Sequence, residues 1–181
     1  DDKYIRLLHD FVTGDPELAR YLAGGFAEVS IFATIDGHRY KGRLDLLAPN
    51  VILNVKTYSK RPRRGNALRT SLVRDAYYNG SDLQAVVHHM VTCAACQNGL
   101  PVFADSGDED IDAQRADQMR LLLASMSTKK KAPVYQWLFI RTGGAPAAIM
   151  IPCRESEVRW QFAVEEVREA VNIVKTYRAK F

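Results

Sequence analysis

The stretch from Gly42 to Thr57 constrains this chain more than any other. Gly42-Arg43-Leu44-Asp45 leads, through a turn at Pro49-Asn50, into Val51-Ile52-Leu53-Asn54-Val55-Lys56-Thr57. The whole reads as two neighbouring strands, because proline and asparagine supply a tight reversal. Side chains alternate between faces along a strand. Val51, Leu53 and Val55 therefore form an apolar face suited to a core, and Ile52, Asn54 and Lys56 form the other. A polar pair ending so hydrophobic a strand is unusual. Asp45, nine residues before Asn54, can lean toward it, so a carboxylate, an amide and an ammonium are expected at one spot.

This arrangement resembles the signature of the PD-(D/E)xK nuclease superfamily, an aspartate ending one strand and an acid-x-lysine on the next. The resemblance implies that Asp45 is the first acid, Lys56 the lysine, and Val55 the donor of a backbone carbonyl. It implies phosphodiester hydrolysis with Mg²⁺ (or Mn²⁺), which neutralises charge and lowers the pKa of an attacking water. Magnesium takes oxygen ligands and keeps several waters, so two carboxylates and a carbonyl suffice. The lysine would polarise that water or stabilise the pentavalent phosphorus. Asn54 departs from the pattern, since an amide oxygen is a neutral, weaker ligand than the acid expected there. It has three readings: a natural variant with reduced metal affinity, a degenerate site in a non-catalytic homologue, or an Asp→Asn change made to trap a complex. Leu53-Asn54-Val55-Lys56-Thr57 is so similar to the Asp-Val-Lys-Thr of these enzymes that the third is favoured. Taken alone, Asp-x₈-Asn-x-Lys also fits an ordinary hairpin with scattered polar residues.

Composition narrows the setting. A chain of 181 residues suits a single domain, 1–181, with a real core. Net charge is +4 and the pI is near 9.0, a basic balance compatible with nucleic acid. No run reaches the length of a membrane span and no signal peptide is visible, so no membrane partner is expected. Beginning at Asp1 rather than Met, the chain is expected to be a piece of something longer. Three cysteines, Cys93, Cys96 and Cys153, argue against a secreted disulfide framework. Cys93-Ala-Ala-Cys96 has metal-ligand spacing, but an iron–sulfur cluster takes four thiolates, so small buried residues on an apolar helix are expected.

Along the chain, 3–22 reads as helical with a break at Gly14-Asp15-Pro16. Ala27 to Ile35 alternates as a strand, Asp36-Gly37 is a two-residue hairpin turn, and His38 to Leu47 returns. Glu28 opens the first strand opposite to Val29; the resemblance makes it a further metal-site acid, and a solvated strand end is the alternative. Ser59-Lys60-Arg61-Pro62-Arg63-Arg64-Gly65 leaves the site as a basic run. It is either a solvated loop or a phosphate track, since guanidinium pairs bidentately with phosphate. A helix from Asn66 to Tyr78 carries Arg74-Asp75-Ala76-Tyr77-Tyr78, which resembles the Gln-x-x-x-Tyr motif of the RecB-like branch with Arg74 for glutamine. The i, i+4 spacing puts Arg74 and Tyr78 on one face. Asp82 is expected to N-cap the helix Leu83 to Gln97, which offers Gln84 to the site's polar side. His88 and His89 project about 100° apart on that helix, too far round to share a metal.

Residues 97–113, with Asp108-Glu109-Asp110, read as an acidic loop before a helix from Ala113 to Met126. Val134 to Ile140 is a near-continuous apolar strand of the kind buried on both faces, Ala147 to Ile151 returns at the edge, and 154–180 is a long amphipathic helix. Helix, three strands, helices, two strands, helix is the core order of the restriction-endonuclease-like fold: an α/β domain whose mixed sheet of about five strands is flanked by helices. Within it the chain most resembles the exonuclease VIII and lambda exonuclease group, over about Glu28 to Ile140. That implies a DNA exonuclease acting on duplex ends or single strands, often a ring-shaped homo-oligomer. Its setting would be phage or mobile-element recombination, in the cytoplasm of a bacterial or phage-infected cell. The rival is a nuclease-like fold that only holds DNA or a protein; a structure- or sequence-specific endonuclease is a third reading.

Overall fold

Apolar periodicity places the helices and alternation the strands, and the computed structural model follows the expected order. It describes residues 2–59, 67–98, 100–102, 109–128, 132–142, 147–153 and 157–178. Helices α1 (Asp2–Gly14) and α2 (Pro16–Gly24) precede strands β1 (Phe26–Ile35), β2 (His38–Ala48) and β3 (Val51–Tyr58). Then come α3 (Ala67–Tyr78), α4 (Ser81–Asn98), β4 (Leu100–Val102), α5 (Glu109–Thr128), β5 (Val134–Arg141), β6 (Ala148–Cys153) and α6 (Val158–Arg178). The α1–α2 break has a local cause. Asp15 Oδ1 accepts the amides of Glu17 and Leu18 at 2.9 and 3.0 Å, and Pro16 starts the new helix. Asp36 and Gly37 both take positive φ, 50° and 77°, as the tight hairpin between β1 and β2 requires.

The sheet runs β4-β1-β2-β3-β5-β6, all antiparallel except β3 with β5. The five expected strands are present, and helices cover both faces. The sixth, β4, is a three-residue edge pairing with Ser30–Phe32, inside the stretch read as a loop. The acids of that stretch also behave differently from expectation. Glu109, Asp110 and Asp112 form the first turn of α5, where the positive end of the helix dipole favours carboxylates.

Both faces of β3 are packed, which corrects the expected core face. Leu53 joins Leu18, Leu46 and Leu138 in a small cluster beneath α1 and α2, while Val55 stays partly exposed. The larger core lies on the other side, where Ile52 and Tyr58 meet Tyr135, Trp137 and Phe139 under α3–α6. Asn54 and Lys56 therefore point toward the main core, not away from it. Trp160 and Val167 anchor α6 to this core; the stripe leaves it by Val174, which is exposed.

Candidate functional site

One irregularity in the sheet creates the site. On β2, Leu44 and Leu47 belong to the large core but Leu46 belongs to the small one, so the inward face changes at Asp45. On β1, Phe26 and Val29 both pack on the large core, so the face changes again at Glu28. Glu28 holds φ at 56°, a left-handed conformation that costs a non-glycine residue about 1–2 kcal/mol. Strain of this kind collects where a sheet must aim a side chain.

The β2–β3 ladder stops at the same level. Its last pair is Leu46 with Leu53, and Asp45 and Asn54 lie beyond it. Asp45 Oδ2 instead accepts the amide of Val55 at 2.6 Å, side chain replacing strand. β3 continues against β5 alone, up to Tyr58 beside Arg141. Asp45, Asn54 and Lys56 thus line the point where the two strands part.

Each polar group there has a distinct state. Asn54 is 1% exposed and its Oδ1 has no hydrogen-bond partner, a condition that costs about 1–3 kcal/mol unless something completes it. Lys56 is half-buried and its Nζ donates to Gln84 Oε1 at 2.8 Å. Burial lowers the Lys56 pKa, and the Asp45 carboxylate acts against that shift. Deeper in, the His88 ring lies 6.2 Å from that of Tyr135. Burial, helped by the Lys56 charge, brings His88 down to about 4. Tyr135 is pushed well above the ordinary tyrosine range by burial first and Asp45 second. His88 Nδ1 and the Tyr135 hydroxyl also lack partners. Three unsatisfied polar atoms from β3, α4 and β5 lie in the core around the Asp45–Lys56 pair.

The expected residues fare unequally. Gln84 reaches Lys56 as expected. The carboxylate of Glu28 is engaged by Arg43, with Oε2 2.8 Å from Nε and 2.6 Å from the terminal nitrogen, both side chains being largely exposed. Arg74 and Tyr78 are exposed, Tyr78 at 83%, on one face of α3. Lys60, Arg61, Arg63 and Arg64 lie outside the described residues. Asp82 does not N-cap α4. It sits inside the first turn, buried, and its Oδ2 takes Arg159 Nε of α6 at 2.7 Å. The paired histidines diverge as expected, His89 packing edge-on against Trp160.

His88 and Tyr135 were not singled out from sequence for the site. Only His88 carried a signal: it follows Gln84 by four residues on α4, so the two share a helical face. The cysteines are thiols, with Cys153 pushed up to about 12 by burial first, then by Glu157 and Asp82. Among the described residues no group of three or more His, Cys, Asp and Glu converges as a metal site. Asp45, Asn54 Oδ1 and the Val55 carbonyl are nevertheless all oxygen donors, the kind a hard divalent cation takes. They fit Mg²⁺ or Mn²⁺ in kind, and with one carboxylate they supply little charge.

No helix of the described residues is long and apolar enough to cross a membrane. No family profile matches the chain. No curated protein sequence matches it. Among solved structures it is similar to a candidate exonuclease from Eubacterium rectale, at 16% identity and a TM-score of 0.58, covering 98% of this chain and 53% of that one. The chain thus spans about half the length of that protein, and the likeness is one of fold: an α/β architecture with a mixed sheet flanked by helices.

Proposed function

We propose that this chain is the nuclease domain of a metal-dependent DNA exonuclease, with its metal site weakened by an amide at position 54. The observation that carries this reading is the meeting of Asp45, Asn54 and Lys56 where β2 and β3 part. The similarity in fold to a candidate exonuclease supports it. Asp45, Asn54 Oδ1 and the Val55 carbonyl would hold the ion. When bound, Mg²⁺ would lower the pKa of a water and neutralise charge at phosphorus. Lys56 is the residue that meets the phosphate, and Gln84 fixes its ammonium. Burial lowers the Lys56 pKa from the ordinary lysine value, against the pull of Asp45, which eases the passing of a proton from Nζ to a nearby oxygen. Arg74 and Tyr78, exposed on α3, would contact the strand, as would Lys60, Arg61, Arg63 and Arg64.

The test is end dependence. With Mg²⁺ or Mn²⁺, linear duplex should be lost while covalently closed circles of the same sequence persist. Loss of both forms at equal rates would point to an endonuclease. Persistence of both, in this protein and in its Asn54→Asp version, would leave a module that only binds.

Glu28 allows a separate check. If its carboxylate belongs to the metal site, Arg43 holds it in competition with the ion. Arg43→Ala should then tighten Mn²⁺ binding by up to about fivefold, the equivalent of the ~1 kcal/mol ceiling for an exposed ion pair. Unchanged affinity in calorimetry would leave Glu28 as a plain strand-end ion pair.

A further inference from the structure

On the small-core side the sheet is packed around Leu46, Leu53 and Leu138, but the outer part of the β1–β2 hairpin stays exposed. Val29, Ile31 and Ala33 of β1, with Leu44 of β2, point into the large core. Alternation therefore sends Ser30, Phe32 and Thr34 to the opposite face, beside Arg39, Lys41 and Arg43. The register sets Thr34 against Arg39, Phe32 against Lys41 and Ser30 against Arg43. All but Ser30 are exposed, Phe32 at 42%. Three cations thus follow one another at every second residue, about 7 Å apart, with one aromatic ring among them. Arg43 is held by Glu28. Arg39 pairs with no described acid, and the Lys41 ammonium rests 5.4 Å from the centre of the Phe32 ring. The hairpin's remaining acids are Asp36, in the turn beyond the stripe, and Asp45, at the site. Asp45 follows Arg43 by two residues, and no described strand pairs with that edge of β2 from His38 to Asp45. The stripe therefore runs along about 20 Å of open edge to the proposed metal site.

We propose that this face carries a single-stranded segment of the DNA under attack and leads it to Asp45, with phosphates on Arg39 and Lys41 and a base on Phe32. The proposal rests on the nuclease reading for its direction and adds a strand preference to it. Cations set in a line match the regular charge of a nucleic acid backbone. An exposed ring beside them suits an unpaired base, since every base has a π-face whatever the sequence. A duplex keeps those faces stacked inside and cannot use the ring. The contact between Lys41 and Phe32 is no obstacle, because an exposed cation–π contact is weaker than base stacking. A base takes the ring and frees the ammonium for a phosphate.

Fluorescence anisotropy with a short oligothymidylate, without divalent ions so that nothing is cut, tests the surface. Arg39→Gln combined with Lys41→Gln should reduce the slope of log affinity against log salt by about 1.4, because each single-strand phosphate contact contributes about 0.7. Phe32→Ala should weaken binding about tenfold and leave the slope unchanged. Phe32→Trp should bind as the parent does, and its indole emission should be quenched as a base stacks on it, the natural Trp137 and Trp160 being buried. Blunt duplex should bind the parent and Phe32→Ala proteins equally. An unchanged slope, or full affinity in Phe32→Ala, overturns the proposal; a slope effect without a ring effect describes a patch for any polyanion. In the Asn54→Asp protein with Mg²⁺, the double glutamine variant should raise KM severalfold more for DNA with single-stranded ends than for blunt duplex, with kcat kept. Hydrolysis with no such difference overturns the proposal while the nuclease reading stands. Single-strand binding with both signatures and no hydrolysis keeps the surface and removes the nuclease.

Discussion

Asn54→Asp should raise Mg²⁺-dependent degradation of linear duplex DNA by two orders of magnitude or more. The substitution preserves side-chain size and returns one negative charge beside Asp45. Single electrostatic groups acting on the charge of a transition state are worth about 10²–10³ in rate, and a metal site with one carboxylate is short of such a group. Adding Lys56→Ala should abolish the gain while DNA binding persists, because phosphate contacts elsewhere supply most non-specific affinity. A second readout separates chemistry from folding. Position 54 is 1% exposed, and an unpaired carboxylate buried there is costly, several kcal/mol in order of magnitude. The Asn54→Asp protein should therefore melt lower than its parent without divalent ions and recover strongly when Mg²⁺ is added. The parent should respond weakly. If Asn54→Asp stays inert on linear, nicked and single-stranded DNA with Mg²⁺ or Mn²⁺, the exonuclease reading fails and a DNA- or protein-holding module replaces it.

The strands and helices were legible because each carries its own period. Asp36-Gly37 and Asp15-Pro16 mark their turns by local chemistry alone, and both were readable within a residue or two. The orientation of β3 was not. When a strand is covered on both faces, alternation survives only as alternating small and large cores, and sequence does not say which side is larger. Leu53 looked inward correctly, but Ile52 looked into the bigger core. The face changes at Glu28 and Asp45 are less legible still. A glutamate in the left-handed region has no sequence mark, unlike a glycine there, and its cause lies in the neighbouring strand. Asp82 was misread for a related reason. An acid near a helix start suits an N-cap by its local context, whereas its partner, Arg159, lies 77 residues away. That Asp45 and Lys56 would come near one another was legible because a tight turn and strand alternation place them on two adjacent strands. His88 and Tyr135 come from elements that only the fold brings together.

The first of those two, His88, should make the stability of this protein depend on mild acid. His88 is neutral in the folded chain, held at about 4 by burial first and the Lys56 charge second, against an ordinary value of 6.5. Between those values the unfolded chain binds a proton at this position and the folded chain does not. Stability is then fully present above about pH 6.5 and falls as pH drops toward 4, because protons favour the state that binds them. The shift of roughly 2.5 units, at about 1.4 kcal/mol per unit, caps the loss near 3 kcal/mol; between pH 7 and 4.5 about 2 kcal/mol of it should be seen. Tyr135 cannot soften the effect, since it stays neutral throughout this range, and Lys56 keeps its charge as pH falls. His88→Leu replaces the imidazole by an apolar group and leaves Lys56 its bond to Gln84. Urea unfolding of both proteins at pH 7 and 4.5 gives the comparison, with carboxylates and the exposed histidines cancelling in the difference. The His88→Leu protein should lose about 2 kcal/mol less on acidification. Equal losses in the two proteins would mean that His88 accepts its proton without leaving the fold, and that the space around Asp45 and Lys56 is more open to water than its burial indicates.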